Sequence, residues 1–177
     1  MNNNNLGDKV ITEKEIQKKV QKLAGKIDSD YNKNQKEILI ISVLKSSVYF
    51  TVDLTRYLEV PLKVDFLGIN RLPGENNKGV VRITKDLELT IAGKKVILVD
   101  TIINTGLTHS YLLKSLKPRN PKEIKICTLL DNTENRLVNL PISYKGFENI
   151  SNQFVVGYGL DYNEKFRNLP YIAEMNK

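Results

Sequence analysis

The run Val96-Ile97-Leu98-Val99-Asp100-Thr101-Ile102-Ile103-Asn104-Thr105-Gly106-Leu107-Thr108 decides the fold. Its first four residues are apolar and mostly β-branched, the pattern of a strand covered on both faces. A loop is expected from Asp100 to Gly106, then a helix from about Leu107 to Leu116. In a parallel sheet, ligands collect beyond the carboxyl ends of the strands. A helix N-terminus supplies amides to an anion there, and Thr105, Gly106 and Thr108 add hydroxyls and a close backbone approach. An ordinary strand–loop–helix connection also uses Thr and Gly, so spacing alone leaves both readings open. A Walker phosphate loop is excluded, because Gly93-Lys94 precedes the strand and lacks the required spacing.

Outward from this segment the chain keeps alternating. Ile38 to Leu44 is a second short apolar run, followed by a helix near Ser47 to Leu58. Pro61 opens a strand through Val64, Phe66 and Ile69; Val80 to Thr84 and Ile124 to Leu130 read as strands too. Strands alternating with helices predict an α/β fold built on a parallel sheet. The polar stretch Asn70 to Gly79 lacks periodicity and carries Pro, Gly and Asn, so a loop long enough to act as a lid is expected. Near the start, Thr12 and Glu15 form a capping box ahead of a helix whose Ile16, Val20, Leu23 and Ile27 share one face. Lys14, Lys18 and Lys22 fall on the other face and read as solvated.

A length of 177 residues fits one domain. No apolar run approaches the roughly 20 residues needed to cross a bilayer. Met1 to Asn5 has neither the basic nor the apolar part of a signal peptide, so a cytoplasmic protein is expected. The single cysteine, Cys127, lies within an apolar run and reads as a buried structural thiol. Net charge is +7, from 27 basic and 20 acidic residues, which suits an anionic ligand. No Cys/His cluster has metal-ligand spacing, and the lone histidine, His109, is expected to have a surface or packing role.

The segment from Val96 to Thr108 resembles the phosphoribosyl pyrophosphate motif of type I phosphoribosyltransferases: four apolar residues, an acidic pair, and a loop ending Thr-Gly-x-Thr. Ser42-Val43-Leu44-Lys45-Ser46-Ser47 and Cys127-Thr128-Leu129-Leu130-Asp131 narrow the resemblance to the hypoxanthine-guanine phosphoribosyltransferases. So does Phe154-Val155-Val156-Gly157-Tyr158-Gly159-Leu160-Asp161-Tyr162-Asn163-Glu164-Lys165-Phe166-Arg167, which is similar to the family's C-terminal signature. The resemblance implies a twisted parallel sheet flanked by helices, with a core at about residues 36–139. A small hood formed by the termini, about residues 6–12 and 140–177, is expected over it. It implies magnesium-dependent transfer of ribose 5-phosphate from phosphoribosyl pyrophosphate to N9 of a 6-oxopurine, hypoxanthine or guanine, in purine salvage. A homo-dimer or homo-tetramer is expected by the same resemblance, and nucleic acid is not the expected partner.

Carried over residue by residue, Thr105, Gly106, Leu107 and Thr108 fall where the 5-phosphate is held. Lys45 and Ser46 fall at a non-proline cis peptide that meets pyrophosphate, as does Arg167. Asp100 and Thr101 fall where two acids meet the ribose hydroxyls, with Asp100 and Asp161 the candidate metal ligands. Phe154 is expected to stack on the base, with Val155 and Asp161 at its edge. Asn104 falls where an aspartate faces N7 of the purine, and Asn132 where a lysine reads its 6-oxygen. Asp100-Thr101 replaces a Glu-Asp pair, Ser46 a glycine, and Asn70-Arg71-Leu72 the Ser-Tyr of the closing loop. These replacements predict weakened transfer, or a catalytically silent relative that binds nucleotide or phosphoribosyl pyrophosphate in a regulatory or RNA-binding role.

Overall fold

The computed structural model describes residues 6–31, 37–72, 80–150 and 154–176. Leu6–Ile11 (β1) precedes Glu13–Tyr31 (α1), whose start is the expected capping box. Glu15 Oε2 accepts from Thr12 N at 2.9 Å, and Glu15 N donates back to Thr12 Oγ1 at 3.3 Å. Ile38–Leu44 (β2), Val48–Tyr57 (α2), Leu62–Leu72 (β3) and Val80–Lys85 (β4) follow. Lys95–Ile103 (β5) leads through Leu107–Leu116 (α3) to Glu123–Asp131 (β6) and Ile142–Glu148 (β7). Val155–Val156 (β8) and Ile172–Met175 (β9) end the chain's regular structure.

A six-stranded sheet runs β4-β3-β2-β5-β6-β7. All its pairings are parallel except β3 with β4, which is an antiparallel edge pair on the expected parallel sheet. The continuous apolar run of β2 is explained by period-2 alternation between two covered faces. Ile38 and Ile40 pack under α1 and α2 with Ile97, Val99, Phe50 and Leu54. Leu39, Ile41 and Val43 pack on the other face with Val96, Leu98 and, from α3, Leu112 and Leu116. Ile97 is fully buried in the central β5. Ile97→Ala is expected to lower unfolding free energy by about 2–5 kcal/mol in a denaturant titration.

β2 connects outward to β3 on one side, and β5 outward to β6 on the other, so the crevice between their carboxyl ends is a topological switch point. β1, β9 and β8 form a separate antiparallel sheet. The expected hood from residue 140 therefore begins later, because β7 pairs with β6 as the outer strand of the main sheet. The expected loop at Asn70 to Gly79 also begins later. Asn70, Arg71 and Leu72 pair with Arg82, Val81 and Val80, and the remainder, residues 73–79, lies outside the described residues. Likewise β5 continues through Ile103, past the expected loop start at Asp100, because Asp100 and Ile102 still pair with β6. Among the described residues no helix is long and apolar enough to cross a membrane.

Candidate active site

A cleft of about 690 Å³ opens at the switch point. Ile102, Leu130, Val155 and Leu160 supply its apolar wall, and Asp100, Asp131 and Asp161 its carboxylates. Four asparagines (Asn104, Asn132, Asn135 and Asn149) and Ser46 complete the polar lining. Phe154 also lines it; its half-exposed ring stands edge-on to Tyr162, centroids 5.9 Å apart. The cleft thus combines an exposed aromatic plane with an amide-rich wall, suited to a flat polar heterocycle.

The strand ends supply the anion-binding loops. At the end of β2 the Leu44–Lys45 peptide is cis, with Ser46 in place beside it. At the end of β5, Gly106 caps α3 at φ +80°, where a Cβ would press on Leu140, Arg136 and Val138 side chains at 2.9–3.0 Å. Only glycine fits that approach. The leading amides of α3 have no carbonyl one turn earlier, which leaves the loop 104–108 able to meet an anion. The loop is braced from the segment after β6: Arg136 Nε donates to Asn104 O at 2.9 Å, and Leu137 N to Thr105 O at 2.9 Å. Arg136 also pairs closely with buried Asp131.

Asp100 is buried, and its carboxylate is crowded. Oδ1 accepts from Thr101 N at 2.8 Å and Ser46 Oγ at 3.2 Å. Oδ2 lies 3.1 Å from Nε2 of His109, whose ring is buried, in a contact without an aligned hydrogen bond. His109 thus packs, as expected, but does so against a site carboxylate. Thr101 is placed differently from expectation. It is fully buried and absent from the lining, and its hydroxyl donates to Ser46 O at 2.9 Å. Its side chain holds the β2 loop from behind.

Lys45 and Arg167 are brought together by a residue the sequence did not single out. Glu164 Oε2 lies 3.1 Å from Lys45 Nζ and 3.2 Å from Arg167 Nη2. Lys45, and then Arg167, hold the Glu164 carboxyl below the usual carboxylate range. Arg167 Nη1 also meets Asp161 Oδ1 at 2.8 Å and donates to Gly159 O at 2.8 Å. Its Nε is sealed from solvent without a partner among the described residues. Asp53 is a second missed element. It accepts from Gln17 Nε2 at 2.8 Å and Tyr158 OH at 2.6 Å, tying α1 and α2 to the segment after β8. Burial, then the Asp53 contact, pushes the Tyr158 hydroxyl up. Burial likewise raises the Cys127 thiol, in keeping with an inert core residue.

Residues 8–163 match the family model described as the phosphoribosyl transferase domain. The chain is 38% identical over 172 residues to the hypoxanthine-guanine phosphoribosyltransferase of Mycobacterium tuberculosis, covering 94% of this chain and 85% of the relative. The chain belongs to the hypoxanthine-guanine phosphoribosyltransferase family. The Bacillus subtilis member is 40% identical over 165 residues, covering 93% and 90%. A crystal structure of the Bacillus anthracis hypoxanthine-guanine phosphoribosyltransferase, with HEPES in its active site, superposes at a TM-score of 0.90. That pair is 40% identical, with 98% of this chain and 99% of the other covered. A Staphylococcus aureus hypoxanthine phosphoribosyltransferase gives a TM-score of 0.91 at 34% identity, covering 98% and 93%. The fold resemblance expected of a hypoxanthine-guanine phosphoribosyltransferase is therefore correct, with its antiparallel edge pair as the addition.

Proposed function

We propose that the chain transfers ribose 5-phosphate from phosphoribosyl pyrophosphate to N9 of a 6-oxopurine, giving a purine nucleotide and pyrophosphate in purine salvage. The observation that supports this most is convergence. Three segments far apart in sequence, at Lys45-Ser46, Asn104 to Thr108 and Phe154 to Arg167, meet around one cleft at the switch point. In the reaction the C1–N9 bond forms as the C1–O bond to pyrophosphate breaks. Pyrophosphate departs with the electron pair, and the ring N–H proton of the base passes to water.

Thr105, Gly106, Leu107 and Thr108 hold the 5-phosphate at the start of α3. Lys45, Ser46 and Arg167 hold pyrophosphate, and the unpartnered Nε of Arg167 supports that role. Phe154 stacks on the base, with Val155 and Asp161 near its edge and Asn104 and Asn132 along its N7 and 6-position side. Magnesium fits as an ion held largely by substrate oxygens. Among the described residues no three acidic, histidine or cysteine side chains gather as a ligand cluster. Asp161 and Asp100 both line the cleft, and the oxygens of each already have close neighbours. Asp161 and Asp100 would hold the ion, with substrate oxygens completing the shell. The bound ion would neutralise the departing pyrophosphate. A cytoplasmic homo-oligomer is part of this reading. Exposed Tyr49, Val52 and Tyr57 share one side of α2 and suit a second copy, which sedimentation measures.

The test is nucleotide formation from phosphoribosyl pyrophosphate and magnesium with hypoxanthine, guanine or xanthine offered separately. Product from a 6-oxopurine is expected. None from any base, at high enzyme concentration, would sink the reading and leave a binding or regulatory relative. Phe154→Ala is expected to raise KM for the base about 10-fold with kcat little changed, since stacking contributes about 1–3 kcal/mol to the bound base.

A further inference from the structure

The polar lining that shares the cleft with Phe154 is rich in amides. Asn132 Nδ2 donates to Asn104 Oδ1 at 3.3 Å, and both residues line the cleft. No lysine or arginine appears among the described lining residues. The neighbouring charges are already engaged: Asp131 pairs with Arg136, and Asp161 with Arg167. Asn149 is occupied as well. Its Oδ1 accepts from Thr133 N at 2.7 Å and Thr133 Oγ1 at 3.0 Å. Asn132 Oδ1, in contrast, is sealed from water with no partner among the described residues. The amide therefore holds its acceptor unpaired and turned away from the cleft, and a turn about its last torsion would present it there.

A carboxamide is a neutral side chain that carries a donor and an acceptor side by side. Turning it about its last torsion exchanges N–H and C=O without changing its shape. A fixed cation at this wall would only donate, and so would reward a carbonyl on the base and reject an amine. A paired amide has no such polarity. One amide facing the Hoogsteen edge of adenine can take the 6-amino hydrogen on its oxygen while donating to N7. Turned over, the same amide donates to a 6-oxygen.

We propose that the Asn104–Asn132 pair reads the N7 and C6 edge of a purine in either hydrogen-bonding sense, so that the chain accepts 6-aminopurines alongside 6-oxopurines. This rests on the transferase reading of the same cleft. With adenine the bonds made and broken are unchanged: C1–N9 forms, C1–O to pyrophosphate breaks with the pair on oxygen, and the ring proton passes to water.

Two measurements on the full chain separate this inference from the reading it rests on. Calorimetric affinities for adenosine 5′-monophosphate and inosine 5′-monophosphate are expected to agree within about tenfold. Asn132→Lys is expected to open a gap of about 100-fold or more in favour of the 6-oxo nucleotide, because a fixed donor leaves the amine without an acceptor. Rates with adenine and hypoxanthine in the unsubstituted chain are expected to agree to the same degree. A 100-fold preference for the 6-oxo nucleotide or base in the unsubstituted chain would overturn the proposal, as would an Asn132→Lys variant with an unchanged ratio. If both nucleotides bind alike but neither base is converted, the transferase reading falls while the dual reading of the edge stands.

Discussion

Asn104→Asp is expected to raise kcat with hypoxanthine by about 10²–10⁴-fold, the contribution a positioned general base typically makes. Asn104 is exposed in the cleft, on the loop between β5 and α3, and its side-chain oxygen already accepts from Asn132 Nδ2. A carboxylate of nearly the same shape would keep that bond on one oxygen. It would turn the other toward N7 of the base, where a proton must depart as N9 attacks. An amide hydrogen-bonds there but cannot take the proton. The loop itself would be undisturbed, since Arg136 and Leu137 hold it through the backbone carbonyls of Asn104 and Thr105. Steady-state rates across pH give the decisive readout. The aspartate variant should acquire an acidic limb, losing rate as its carboxyl is protonated, which the unsubstituted chain lacks. An unchanged kcat with no new limb would mean that the proton leaves by another route.

The scaffold was legible in the sequence wherever one physical signal dominated. Ile38 to Leu44, short and β-branched, suited a strand buried on both faces, and it alternates between α1 and α2 on one side and α3 on the other. Thr12 and Glu15 announced the start of α1 through a contact three residues apart. The ends of elements were harder. Asp100 and Thr101 look like loop residues, yet pairing with β6 keeps them in the strand, because ladder bonds outweigh local propensity there. Asn70 to Leu72 were drawn into β3 in the same way by pairing with β4.

Within the site, the partnerships that shape its charges join residues far apart in the chain. Glu164 bridges Lys45 and Arg167, Asp53 receives Tyr158, and His109 faces Asp100. Of these, only Glu164 and Arg167 lie close in sequence, and nothing in local spacing marks the rest. Thr101 shows the opposite limit. Its position in the motif pointed to ribose, but a threonine hydroxyl is short enough to turn inward and bond Ser46 O.

That same carbonyl sets the second large effect. Gly159 packs against Ser46 with φ +93°, and a Cβ there would overlap Ser46 O and lie 3.0 Å from its carbonyl carbon. Both obstacles are backbone, so no rotamer change relieves them. Gly159→Ala must push the 157–160 turn away from the loop carrying Lys45 and Ser46. The turn cannot yield freely. Gly159 N donates to Arg167 O at 2.9 Å, and Arg167 Nη1 returns a bond to Gly159 O at 2.8 Å. The displacement would therefore carry Arg167 and Asp161 with it. Misplacing binding groups by about 1 Å can reduce turnover about 100-fold, and a loss of at least that size in kcat/KM is expected. Gly93→Ala is the matched control. Gly93 also has positive φ, at +70°, but a Cβ there meets nothing within 4 Å, and it lies in the turn before β5, at the opposite end of that strand from the cleft. It carries the backbone strain without the clash, so a modest drop in thermal midpoint with activity retained is expected. Equal activity in the two variants would show that the contact between Gly159 and Ser46 does not position the pyrophosphate loop.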